Sequence, residues 1–181
     1  MRESDFNFIL DHVDWESVSQ DPNISEDFIN RYGSRLDWFW LSSNETLSED
    51  CIRENAKFVD WEGLCERDVQ LSEDFIRDFQ DEVVWWLISE NQKLSEDFIR
   101  EFSHLVDWRS IEIYQDLSQS FIEEHIDKIE LDAILENESR KNLSDEFILK
   151  NARYVTDINL FKDILSDTNF NLLKNLVEVN E

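Results

Sequence analysis

The sequence predicts an all-α fold, an α-solenoid of short two-helix repeats. Three observations carry that expectation. A six-residue motif, LSEDFI at Leu71–Ile76 and Leu94–Ile99, recurs with variants at Ile24–Ile29, Leu47–Ile52, Leu117–Ile122 and Leu143–Ile148. Its serines, Ser25, Ser48, Ser72, Ser95, Ser118 and Ser144, are separated by 23, 24, 23, 23 and 26 residues, the beat of a stacked repeat protein. Between them a second motif keeps time: VDWESV at Val13–Val18, LDWFWL at Leu36–Leu41, VDWEGL at Val59–Leu64, VVWWLI at Val83–Ile88, VDWRSI at Val106–Ile111 and IELDAI at Ile129–Ile134.

Both motifs start helices. In LSEDFI the serine is an N-cap whose hydroxyl can accept from an orphan backbone N–H. The two acids after it fall in the first turn, where the helix dipole favours negative charge. Leu71 and Ile76 then occupy N′ and N4, the pairing of a hydrophobic staple. The second motif repeats this with an acid as cap: Asp60 with Val59 and Leu64, Asp37 with Leu36 and Leu41, Asp107 with Val106 and Ile111. A repeat is therefore an A helix beginning at the serine, a turn, a B helix beginning at the aspartate, and another turn. Helices of about two turns do not stand alone in water. Phe98, Ile99 and Phe102 mark the buried face of an A helix, and Trp108 and Ile111 that of a B helix. Neither face can be covered within one repeat, so the repeats must stack.

Taken in order, residues 1–12 read as a worn first repeat, with Ser4 as cap and Phe6, Phe8, Ile9 and Leu10 as apolar surface. Residues 13–155 form the regular array. Pro22 sits where a break before the next cap is wanted. In the fifth repeat Gln119 and Ser120 replace the acid pair and Leu131 replaces the tryptophan; the extra residues before Ser144 fall near Glu136–Lys141. Residues 156–181, with Ile158, Leu160, Phe161, Ile164 and Leu165, then Phe170, Leu172, Leu173, Leu176 and Val177, read as two closing helices that cap the array. With 2 glycines and 1 proline in 181 residues there is little linker chemistry, so one domain is expected.

No catalytic, cofactor or metal site is expected. His12, His104 and His125 are scattered, and His125 takes the place of Phe79 and Phe102, which makes it a core-edge residue. No Cys/His spacing suits zinc, and Gly33 and Gly63 alone cannot build a phosphate loop. Cys51 stands where Phe28, Phe75 and Phe98 stand, as a small core residue, and a reduced, intracellular setting, the cytoplasm, is expected. The opening residues MRESDFNFIL carry acids and lack an apolar h-region, so no secretory leader is expected; no apolar run is long enough to span a bilayer. The tryptophans at 15, 38, 61, 85 and 108 recur at the repeat period and are expected in the core. Trp40 and Trp86 lie off that register and would be contact anchors if exposed.

Charge points to a partner. The net charge is −26 and is spread evenly, −9, −10 and −7 over successive thirds. That disfavours nucleic acid or anionic membrane as a direct partner and favours a basic protein. Stacking would set the A-helix starts, Glu26/Asp27, Glu49/Asp50, Glu73/Asp74 and Glu96/Asp97, along one edge as a rail. Asp14, Asp37, Asp60 and Asp107 would form a second rail on the opposite edge. At about 9–10 Å per repeat the array would span roughly 65 Å, or about 0.4 charges per Å; duplex DNA carries about 0.6 per Å. Helix capping and solubility explain part of this acidity. They do not call for Asp78, Asp81, Glu82, Glu101, Glu112, Asp116, Glu123 and Glu124, which lie outside the cap positions.

The LSEDFI and VDW motifs over about residues 13–155 resemble a group of short α-helical tandem repeats found in proteins of bacteriophages and large DNA viruses. The resemblance implies an all-α solenoid of viral origin and carries no catalytic residues. In charge and size the chain also looks similar to acidic phage proteins that occlude host defence enzymes, including anti-CRISPR and anti-restriction DNA mimics. Together these imply a non-catalytic inhibitor that fills the nucleic-acid groove of a host CRISPR effector or nuclease. The alternative is a protein-interaction scaffold that grips its partner with a concave solenoid face.

Overall fold

A computed structural model of the chain describes residues 10–134 and 143–178. The expected cap at Ser4 and the longer loop near Glu136–Lys141 lie outside the described residues. Within them every regular element is a helix or a 3-10 turn, and the fold class is all-α, an α-solenoid of short two-helix repeats. The B helices are α1 (Trp15–Ser19), α3 (Trp38–Ser42), α5 (Trp61–Glu66), α7 (Trp85–Asn91), α9 (Trp108–Tyr114) and α11 (Leu131–Ile134). The A helices are α2 (Glu26–Tyr32), α4 (Glu49–Glu54), α6 (Glu73–Asp78), α8 (Glu96–Glu101), α10 (Gln119–Glu124) and α12 (Asp145–Lys150), and the chain closes on α13 (Asp167–Glu178).

The chain divides into two compact units, Met1–Leu87 and Ile88–Glu181. In the first, like packs on like: α1 on α3, α3 on α5, and α2 on α4. In the second, α9 packs on α11, and α13 on α12 and on the 3-10 turn Ala152–Tyr154 that follows it. The core of each unit is the apolar half of the two motifs. Phe75, Ile76 and Leu64 are buried in the first unit, and Phe98, Ile99, Phe102 and Ile111 in the second.

All six motif serines act as caps. Each hydroxyl accepts from the backbone amide three residues on, at 3.1–3.3 Å. The aspartate caps divide. Asp14 accepts from Ser17, Asp37 from Phe39 and Asp107 from Ser110, at 3.1, 3.1 and 2.9 Å. Asp60, expected to cap α5, holds the position, but its carboxylate accepts no capping bond. Its Oδ2 instead sits against Gly63, 3.0 Å from where a Cβ would lie. A glycine in the first turn leaves room for the carboxylate to leave the capping direction.

Past residue 155 the structure departs from the expected pair of closing helices. The first is only a 3-10 turn, Ile158–Phe161, capped by Asp157, which accepts from the Asn159 amide at 3.0 Å. The second is α13, the longest helix described, and its start is a seventh copy of the A motif. LSDTNF at Leu165–Phe170 places Ser166 as cap, accepting from Asn169 at 3.3 Å, with Leu165 and Phe170 buried on either side.

The B helices are joined by one side-chain position, four residues after the motif tryptophan. Ser19 Oγ accepts from the Asp37 amide at 2.8 Å, Ser42 Oγ from Asp60 at 2.9 Å, and Ser89 Oγ from Asp107 at 3.0 Å. All three serines are buried. Cys65 takes the same place, its sulfur facing the Val84 amide. Each bond runs from one repeat to the N-cap amide of the next B helix, a donor that its own helix cannot satisfy. The turns between B and A helices are tied similarly. Buried Arg67 donates to the carbonyls of Asn44 and Leu47 at 3.3 and 3.5 Å. In the second unit Gln115 bridges the Ser89 and Gln92 carbonyls and the Leu94 amide.

Glu112 fills this position in α9. Its Oε1 accepts from the Glu130 amide at 2.8 Å. Its Oε2 is buried without a hydrogen bond, 3.6 Å from Arg109 Nη1. Burial pushes the Glu112 carboxyl up, and the neighbouring Glu130 adds to that, against the Glu130 amide and Arg109.

Ser42→Ala strands the Asp60 amide and is expected to cost about 1–3 kcal/mol, seen as a Tm several degrees lower; Ser43→Ala, on the exposed neighbour, should leave Tm nearly unchanged. Glu112 has a folded-state pKa above its unfolded value, so the folded chain holds the extra proton. Its favourable contribution is complete below the unfolded pKa and is lost as pH rises through the folded one. Glu112→Gln keeps an acceptor for Glu130, and should raise Tm at neutral pH and flatten that part of the Tm–pH curve.

Candidate partner-binding surface

The eight acids of the expected A-helix rail fall into two structural classes. Glu26, Glu49, Glu73 and Glu96 are at N1 and are half-buried; Asp27, Asp50, Asp74 and Asp97 are at N2 and are exposed. Adjacent helical residues point about 100° apart. One of each pair is therefore half-buried while the other faces solvent.

The N1 glutamates bridge repeats. Glu26 Oε1 accepts from the Ser48 amide at 2.7 Å. Glu49 accepts from both the Ser72 amide and the Ser72 hydroxyl, at 2.6 and 2.7 Å. Glu96 accepts from the Ser118 amide at 2.6 Å. Gln119, which breaks the acidic pattern, makes the same bond to Ser144, through amide and hydroxyl at 3.2 and 3.1 Å. The position requires an acceptor, which an amide supplies as well as a carboxylate. In an ordinary capping box a helix's own N3 side chain returns to its N-cap amide; here the preceding repeat supplies it. Burial pushes the Glu96 carboxyl up, but Ser118 and Arg100 together outweigh it and hold the group below its ordinary value.

The aspartates are what a partner can meet. Asp74 and Asp97 are 90% and 96% exposed, and each pairs with the arginine three residues on, Arg77 at 2.6 Å and Arg100 at 2.9 Å. Arg53, three residues after Asp50, reaches instead to Asp78 of the next repeat. At the far ends of the A helices the cations are drawn into the array. Arg100 pairs with Glu124 at 2.9 Å, and Lys150 pairs with Glu123. Of the second rail, Asp14, Asp37 and Asp107 are engaged as caps, as described above.

Of the periodic tryptophans expected in the core only Trp38 is buried; Trp15, Trp61, Trp85 and Trp108 are half-buried, because each ring lies at the seam between a B helix and the next A helix. The indole N–H groups of Trp15, Trp38, Trp85 and Trp108 each donate to the carbonyl five residues back, at 2.8–3.1 Å. Their rings pack on the next A helix: Trp15 on Phe28 and Tyr32, Trp61 on Phe75 and Phe79, and Trp108 on Phe121 and His125. His125 is buried at the edge of that stack. Cys51 and Cys65 are buried free thiols. Burial, then Glu26 and Glu54, push the Cys51 thiol up to about 11, and burial also raises Cys65; neither is poised as a thiolate. Among the described residues no His/Cys/Asp/Glu group is arranged to hold a metal ion, and no helix is long and apolar enough to cross a membrane.

Trp40 and Trp86 are exposed at 44% and 49%, and Phe39 at 62%. Phe39 was not singled out by the sequence pattern, being flanked by two tryptophans. A comparison of its register with Trp86, both one residue past the motif tryptophan, would have found it. Comparison with protein-family models, with curated proteins and with solved structures finds no match for this chain.

The N1 bridge makes a chemical distinction that a stability measurement can read. Glu49→Ala removes two bonds to Ser72 and should cost about 1–2 kcal/mol, while Glu49→Gln, the residue that stands at 119, should cost about 0.5 kcal/mol or less. Urea titration of both variants, compared at equal m-value, checks this.

Proposed function

We propose that the chain is a non-catalytic acidic protein of viral or phage type that binds a basic, nucleic-acid-handling host enzyme, a CRISPR effector or nuclease, and occupies its nucleic-acid groove as a mimic. One observation carries this reading: successive A helices present an exposed aspartate at the same register, Asp27, Asp50 and Asp74 in the first unit and Asp97 in the second, on a chain of net charge −26. Within the first unit the spacing is imposed by helix packing, about 8–10 Å between neighbouring helix axes. Carboxylates held at fixed intervals can replace phosphates on the lysines and arginines of a groove. Glu26, Glu49 and Glu96 are spent on bridges between repeats, so the aspartates bear the contact.

A second reading is a scaffold that holds its partner by shape and apolar contact. The exposure of Phe39, Trp40 and Trp86 favours it.

The two separate by charge. With purified CRISPR effectors and nucleases, the mimic reading expects inhibition that weakens steeply with added salt and is relieved by excess duplex DNA. Replacing Asp27, Asp50, Asp74 and Asp97 together by asparagine should raise the inhibitory concentration about tenfold or more, while Glu26→Gln with Glu96→Gln should leave it within about twofold. Inhibition indifferent to salt, to DNA and to the four asparagines would contradict the mimic and support the scaffold.

A further inference from the structure

The starts of the B helices in the first unit carry a second pattern, separate from the aspartate rail. At N2, one residue past the motif tryptophan, stand Glu16, Phe39, Glu62 and Trp86, all exposed. The four helices neighbour one another in that order. α1 packs on α3 and α3 on α5, and the Cys65 sulfur meets the Val84 amide at the start of α7. Equal register on adjacent helices makes the four side chains a row, alternating carboxylate and aromatic. Trp40 widens the row beside Phe39, its ring edge-on at 5.3 Å. In α9 the same place is Arg109, which pairs with Glu112 and Glu130, so the pattern belongs to the first unit.

The chain shows elsewhere what such a pair holds. Arg35 lies over the Trp15 ring at 5.6 Å and pairs with Asp11. Arg53 lies over Phe75 at 5.0 Å and pairs with Asp78. Arg100 lies over Phe121 at 4.8 Å and pairs with Glu124. Each time a guanidinium is shared between an aromatic face and a carboxylate, a combination of cation–π and charge-assisted contact to which arginine is suited. Among the described residues no cation lies over Phe39, Trp40 or Trp86.

We propose that the row Glu16–Phe39–Glu62–Trp86 is a docking surface for an extended, arginine-bearing segment of a partner protein. Neighbouring helix axes lie about 8–10 Å apart, and an extended chain advances about 3.3 Å per residue. Arginines at every third residue therefore match the helix spacing, and successive arginines meet carboxylate and aromatic positions in turn, each aromatic contact having a carboxylate on the neighbouring helix. The proposal does not depend on nucleic-acid mimicry, which concerns the A-helix starts.

The test uses the full chain and two twelve-residue peptides of identical composition, one repeating Arg-Ser-Ser and one with its four arginines in a block, titrated by calorimetry at physiological ionic strength. The spaced peptide is expected to bind about fivefold or more tightly than the blocked one. Phe39→Ser with Trp86→Ser should bring that ratio to about one, because the block presents the same charge to the same acids. Glu16→Gln with Glu62→Gln should lower the ratio too, and serves if the aromatic variant fails to fold. Asparagine at Asp27, Asp50, Asp74 and Asp97 should leave the ratio intact. Equal binding of the two peptides to the parent chain, or a preference that survives both the aromatic and the glutamate variants, would overturn the assignment.

Discussion

The unsatisfied amides at the start of each helix set the terms for this structure. A helix leaves its first four N–H groups without an internal partner. In helices of five to seven residues, such as α1 to α10, these orphans rival the internal bonds in number. The fold answers in two directions. A serine or aspartate at the cap satisfies an amide within its own first turn. A side chain of the preceding repeat, Glu26, Glu49, Glu96 or Gln119 for A helices and Ser19, Ser42 or Ser89 for B helices, satisfies the amide of the cap residue itself. A helix start is complete only when its predecessor is folded. Nearest-neighbour coupling of this kind is what makes elements too short to nucleate alone cooperate in an array.

The same geometry sorts the charge. Two acids in sequence have the same formal charge and similar first-turn dipole interactions, yet rotation about the helix axis gives them different work. The glutamate becomes an internal acceptor and the aspartate a surface charge. Net charge alone therefore overstates what a partner meets on the A edge. Aromatic residues divide in the same way. The motif tryptophans are fixed by indole bonds and ring contacts, whereas Phe39 and Trp86, one position on, turn outward.

Much of the architecture was legible because period, cap and staple are local signals. The serines, the B-helix starts and most of the buried apolar positions lie where their spacing put them, although Trp15, Trp61, Trp85 and Trp108 are only half-buried. What could not be read was direction across repeats. Spacing within a motif does not say which way N1 points, and Gln119, the one substitution that preserved the acceptor while losing the charge, looked like decay of the pattern. Glu112 looked like surplus surface acid for the same reason, although it stands in the register of three buried serines. Asp60 misled because the glycine that releases its carboxylate, Gly63, lies outside the cap motif. The seventh A start, LSDTNF, was obscured by Thr168 and Asn169 where an acid and phenylalanine usually stand, though its serine and both flanking apolar residues were intact.

Cap-residue amides are closed by the neighbouring repeat. Amide hydrogen exchange followed residue by residue by NMR tests this most directly, at Asp37, Asp60 and Asp107 in the B helices and Ser48, Ser72 and Ser118 in the A helices. An isolated helix leaves these amides open to water, with little or no protection. Protection at all six is expected to match that of the interior amides of the same helices, and to be strongest at the three buried serine acceptors. Exchange at the rate of an unstructured peptide at these positions, alongside protected helix interiors, would contradict it.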